Sequence, residues 1–218
     1  MDIIPQSCLT EWPEFPVAVQ VFGDEKYRLP VRHKAAEILA NKKSAKLVSP
    51  ALKFLSSVVN SDVFAEDNFQ TKHLLRNFVS FVGYIETLEA YQGLKEFLHR
   101  LLTKNPKHKD VFLTDTVFSI VSVSIKLNMK DSVPILKTAI SHLDTRQLED
   151  WDIESLVAYF DMFNEPTGIK EILTNGLTDR MPEVETQCLA LLEKYDPDFV
   201  EKWQAQKETA NTQNKESK

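Results

Sequence analysis

The chain has 218 residues, a net charge of −6 and 43% hydrophobic residues, which suits one large domain or two small ones with a substantial core. The acidic balance argues against a generic nucleic-acid binder. The only cysteines, Cys8 and Cys188, lie far apart in no metal-ligand spacing and point to a reducing intracellular compartment, the cytoplasm or an organelle matrix. No run approaches the roughly 20 apolar residues of a membrane span, and the first 30 residues hold five acids but no signal-type apolar core.

Residues 1–30 carry Pro5, Pro13, Pro16 and Pro30, with Trp12 and Phe15 between them. This pattern predicts an arm, with residues 16–23 a short strand or an extended segment, whose aromatics pack either on the chain's own helices or on another subunit. From Val31 the period becomes helical: Ala35, Ile38 and Leu39 share one face. Ser49-Pro50 then reads as a cap followed by a first-turn proline before Leu52, Leu55, Val58 and Val59. Phe69, Leu74, Leu75, Phe78, Phe81, Val82 and Ile85 mark a long apolar helix, and residues 91–102 mark its partner, closed by Asn105-Pro106.

A further helix is expected over residues 114–127, capped by Thr114. Asp131 and Asp152 are candidate caps for the next two, with Pro134 in a first turn. Asn164 is the candidate cap of another helix with a first-turn proline, Pro166, and Asn175-Gly176 ends that helix. Pro182 opens a helix reaching Tyr195, Pro197 ends it, and residues 198–203 form a final turn. Residues 204–218 are too polar to offset their own ordering entropy and are expected to be disordered. The stripes predict at least seven helices within 31–203. The expected core is Leu74, Phe78, Phe81, Leu98, Leu101, Ile120, Leu136, Ile140, Leu156, Phe160, Leu173 and Leu189.

A short block recurs. Gly93-Leu94-Lys95-Glu96-Phe97-Leu98 matches Gly168-Ile169-Lys170-Glu171-Ile172-Leu173. Ile135-Leu136-Lys137-Thr138-Ala139-Ile140 fits the same frame, and Ala51-Leu52-Lys53 fits part of it, with lysines 42, 42 and 33 residues apart. Each block falls on the second helix of a presumed helix–turn–helix unit. Over residues 31–203 the chain therefore resembles the helical-repeat class, of pentatricopeptide-like or HEAT-like type. That resemblance implies an all-α fold: a right-handed solenoid-like stack of antiparallel helix pairs carrying the N-terminal arm. It also implies an extended surface for binding a partner. The strict periods of the tetratricopeptide and pentatricopeptide classes are missing, so a base-by-base RNA code is not implied.

No catalytic pattern emerges. His33, His73, His99, His108 and His142 show no metal-protease spacing, there is no glycine-rich phosphate loop, and neither cysteine sits in a nucleophile motif. No cofactor, metal or small-molecule substrate is expected. Charge is unevenly spread. Residues 24–53 hold eight Lys/Arg against three acids, and residues 144–201 hold 15 acids against four bases. The C-terminal acids fall near predicted helix N-termini, where they favour the helix dipole. The expectation is a non-catalytic structural subunit or adaptor in a multi-subunit complex. Trp12, Phe15, Arg28, Arg32, Lys34, Lys42, Lys43 and Lys46 are its candidate partner-binding residues. The alternative is an RNA-binding helical-repeat protein.

Overall fold

A computed structural model describes residues 15–24, 26–41, 45–59, 69–104, 106, 108–143, 148–175 and 182–216. Among these residues there are eleven α-helices and no strand: α1 (Phe15–Gly23), α2 (Leu29–Asn41), α3 (Val48–Val58), α4 (Phe69–Tyr84), α5 (Leu88–Lys104), α6 (Lys109–Leu127), α7 (Val133–Ile140), α8 (Asp150–Met162), α9 (Pro166–Thr174), α10 (Pro182–Tyr195) and α11 (Pro197–Glu216). Short 3-10 turns precede α3 and α7. The chain divides into two compact units, residues 1–139 and 140–218.

In the first unit, α1 packs on α2 and α3, and α2 packs on α4. The α3 helix meets α4 and α5, and α4, α5 and α6 pack on one another. Helices thus meet neighbours one and two places along the chain. An aromatic cluster joins α1, α3 and α4. Phe22, Phe54 and Phe78 meet edge-to-face with centroids 5.0 to 6.0 Å apart, an arrangement worth about 0.5–1.5 kcal/mol per pair beyond area burial. The α4 and α6 helices come close because both faces are small. A Cβ on Gly83 would stand 2.9 Å from the Ser119 Cβ. Asn128 ends α6 with a left-handed backbone (φ 56°), while the Met129 N–H bonds back to the Ser124 carbonyl at 2.9 Å.

In the second unit, α8, α9 and α10 pack on one another and α11 packs on α10. Ile153, Leu156, Val157 and Phe160 form the buried side of α8. Asp152 does not cap a helix beginning at Ile153. It sits inside the first turn of α8 and accepts the backbone N–H of Glu149 at 3.3 Å. Pro166 opens α9 with Glu165 and not Asn164 at the cap position, since Asn164 takes a left-handed backbone (φ 53°) just past the end of α8, and Asn175 ends α9.

Several expectations need correction. The presumed extended arm is helical over Phe15–Gly23, and its Ala18, Val21 and Phe22 are buried. Pro16 falls in the first turn of α1, where its missing N–H breaks no helical bond. The tail presumed disordered continues α11 through Glu216. The preceding helix does end at Tyr195 as expected, but Pro197 also begins α11, which Asp196 caps: its Oδ1 accepts the Phe199 N–H at 3.1 Å. The α6 helix starts five residues before Thr114. Of the expected core, Phe81 and Leu189 are only half-buried, and the Leu74 side chain lies outside the described residues. The other nine are buried.

Candidate interaction surface

The basic N-terminal residues part company in the fold. Arg28, Lys34 and Lys46 are exposed. Arg32 is 5% exposed. Its Nε donates to the Phe22 carbonyl at 2.7 Å, and its guanidinium lies 4.0 Å from the Phe54 ring centroid. This arginine is therefore a core residue joining α1, α2 and α3, satisfied by a carbonyl and a π-face, and it is not available to a partner. Its position explains why: Arg32 shares the apolar face of α2 with Ala35, Ala36 and Leu39, all buried. Trp12, Lys42 and Lys43 lie outside the described residues, as does the Phe15 side chain.

A cleft that the sequence did not reveal runs beside α5. Lys95, Glu96, His99, Arg100 and Ile135 line its roughly 370 Å³. It is open to solvent, and its cations are already engaged. Lys95 Nζ bonds Asp131 Oδ2 at 2.5 Å, and Arg100 Nη1 donates to Ser56 Oγ at 3.2 Å. Asp131 also accepts the Tyr91 hydroxyl at 2.5 Å. Lys95, with Tyr91 second, holds the Asp131 carboxyl below its ordinary value. An equivalent pair links Lys170 to Asp196 in the second unit, and lowers Asp196 for the same reason, helped by the Phe199 N–H.

Large apolar side chains stand outside the core in both units. Tyr84 is 62% and Leu88 51% exposed at the α4–α5 turn. On the outer face of α8, Trp151 is 64% and Met162 45% exposed. Ser155 and Ala158 lie between them on the same face. Tyr195, at the end of α10, donates to Asn164 Oδ1 at 3.1 Å and so lies beside the C-terminal end of α8.

Glu185, 5% exposed, accepts Lys207 Nζ at 2.6 and 2.7 Å and Trp203 Nε1 at 3.3 Å, which ties α11 to α10. Cys188 is free and buried, and burial, with Glu185 nearby, pushes its thiol up to about 12. A thiol so protonated is a poor nucleophile at neutral pH. Among the described residues no group of three His, Cys, Asp or Glu is placed to hold a metal, and no helix is long and apolar enough to cross a membrane. No protein family, curated protein or solved structure matches this chain.

Proposed function

We propose that the chain is a non-catalytic helical-repeat scaffold, a subunit or adaptor that binds a protein partner across the outer faces of its stacked helices. The observation that carries this reading is the succession of helices packed on neighbours one and two places along the chain, with Tyr84, Leu88, Trp151 and Met162 left outside the core. These four side chains form two separate exposed apolar spots, one in each unit, and grouped exposed apolar surface is where soluble proteins bind partners. In this reading the helix pairs form a right-handed solenoid-like stack. The decisive experiment is fractionation of a native lysate. The chain should migrate well above its monomer size with a stoichiometric protein partner, before and after nuclease treatment. Migration as a monomer would overturn the reading.

RNA binding is the second reading, favoured by His99 and Arg100 along the α5 cleft, both exposed, Arg100 keeping guanidinium N–H groups beyond the one given to Ser56. It requires affinity for RNA that falls steeply with salt, because phosphate contacts release counterions. Nuclease-sensitive migration in the same fractionation would select it.

A further inference from the structure

We propose that the outer face of α8 docks a cationic amphipathic helix of the partner, an inference that deepens the scaffold reading and rests on it. With a rise of about 1.5 Å and a turn of about 100° per residue, Trp151 and Met162 stand about 16 Å apart and within about 20° of the same line along the helix. Ser155 and Ala158 fall between them, within about 40° of that line. The face is turned away from the unit's own core, since Ile153, Leu156, Val157 and Phe160 bury the opposite side. Its order is large, small, small, large. That leaves a shallow seat between the indole and the thioether, shaped to take a ridge of side chains from a crossing helix. Tyr195 adds apolar surface beyond Met162, held there by its bonds to Asn164 and Asp161.

The charge of the occupant follows from the flank. Asp150, Glu154 and Asp161 lie along one side of the stripe, about 60–100° around the helix from Trp151. They belong to a segment with 15 acids and four bases. Three carboxylates in one row repel one another and any polyanion, and a row of Lys or Arg on a partner relieves that repulsion. RNA and an anionic membrane surface are therefore disfavoured here. A second copy of the chain docked symmetrically through this face would set the same carboxylates against each other. A helix with an apolar stripe and a basic edge matches both features, with the aromatic and the adaptable methionine as anchors.

The test places the photo-cross-linker benzoylphenylalanine at Ala158, and separately at Tyr84, in the full chain expressed in its native cells. Mass spectrometry then maps each adduct. At Ala158 the expected adduct is a protein segment of net positive charge with apolar residues at helical spacing. The combined substitutions Glu154→Lys and Met162→Lys should cut its yield at least tenfold while helicity by circular dichroism is unchanged. An adduct at Ala158 with RNA, with a second copy of this chain or with a neutral or acidic segment overturns the proposal, as does an unchanged yield in the double variant. No adduct at Ala158 but a protein adduct at Tyr84 sinks this docking face and leaves the scaffold reading standing. No protein adduct at either position removes both.

Discussion

Nearly the same six residues occur in both units, as Gly93–Leu98 in α5 and Gly168–Leu173 in α9, and their surroundings differ in one telling way. In each, three apolar positions are buried: Leu94, Phe97 and Leu98 in the first, Ile169, Ile172 and Leu173 in the second. In each, the lysine reaches an aspartate beside the start of a later helix and lies near an aromatic ring. Lys95 meets Asp131 and Tyr91, and Lys170 meets Asp196 and Phe199. The glycines diverge. A Cβ on Gly93 would press on Leu52 of α3, and one on Gly168 on the ring of Phe160 in α8, the helix just before its own. The block thus repeats a local chemistry, an apolar face plus a lysine clasp, without repeating its packing neighbours. The lysine needs only one acid within reach, whereas the glycine meets whatever helix packs against it.

The largest expected effect tests the part the two blocks share. Leu98→Ala and Leu173→Ala each remove a fully buried side chain, and each should cost roughly 2–5 kcal/mol. Chemical denaturation of the full chain measures both. A cost near zero for one of them would show that its block faces a partner instead of the core, and the equivalence would fail.

These shared positions are also what the sequence shows most clearly. Burial at Leu98, Leu101, Ile120, Leu156 and Phe160 follows from helical periodicity, because one stripe of apolar residues has a single way to leave water. First-turn prolines locate the starts of α7, α9 and α10. Legibility failed where tertiary contacts outweigh composition. Four prolines suggested an extended arm, yet α1 is a helix whose Phe22 packs on Phe54 and Phe78. Polar composition suggested a disordered tail, yet Lys207 and Trp203 reach back to the buried Glu185. Arg32 looked like one of a run of surface cations, although its spacing to Ala35, Ala36 and Leu39 already placed it on the buried face. The α5 cleft was invisible for another reason: it joins residues from helices whose packing a single sequence does not specify, whereas the spacing of Trp151, Ser155, Ala158 and Met162 is legible on one helix and only the exposure of that face needed the structure.

The glycines should separate the blocks by an intermediate amount. An added methyl at Gly168 would lie 2.3 to 2.5 Å from three atoms of the Phe160 ring, which is fully buried and cannot withdraw. Overpacking of this kind costs about 1–3 kcal/mol, against a gain of about 1 kcal/mol in helix propensity on replacing glycine by alanine. Gly168→Ala should therefore lower the melting temperature. At Gly93 the closest atom is Leu52 Cδ1 at 2.1 Å, but Cγ is already 3.4 Å away. That methyl belongs to a half-buried, flexible side chain and can rotate aside. Gly93→Ala should be close to neutral. Equal losses at the two sites would mean that Leu52 is held as rigidly as Phe160 and that the packing difference carries no energetic weight.

The smallest effect concerns the lysine clasps, and its signature is pH dependence more than magnitude. Lys95 and Asp131 are partly exposed, with side-chain exposures of 26% and 58%, so their pairing is worth under about 1 kcal/mol near neutral pH. Both Asp131 and Asp196 are held below the ordinary carboxylate value of 3.8 in the folded chain. A carboxyl that binds its proton less tightly when folded stabilises the fold above its unfolded value, and that contribution disappears as the pH falls through the lower, folded value. Melting temperature followed from pH 7 downward should therefore fall on the acid side of about pH 4. Lys95→Met and Lys170→Met should each lower stability slightly at neutral pH and make the acid fall shallower. Neither should abolish it, because Asp131 keeps the Tyr91 hydroxyl and Asp196 keeps the Phe199 N–H. The two variants should behave alike, since the clasp is the feature the blocks share. A flatter acid limb in only one of them would show that the resemblance between the blocks stops at their apolar faces.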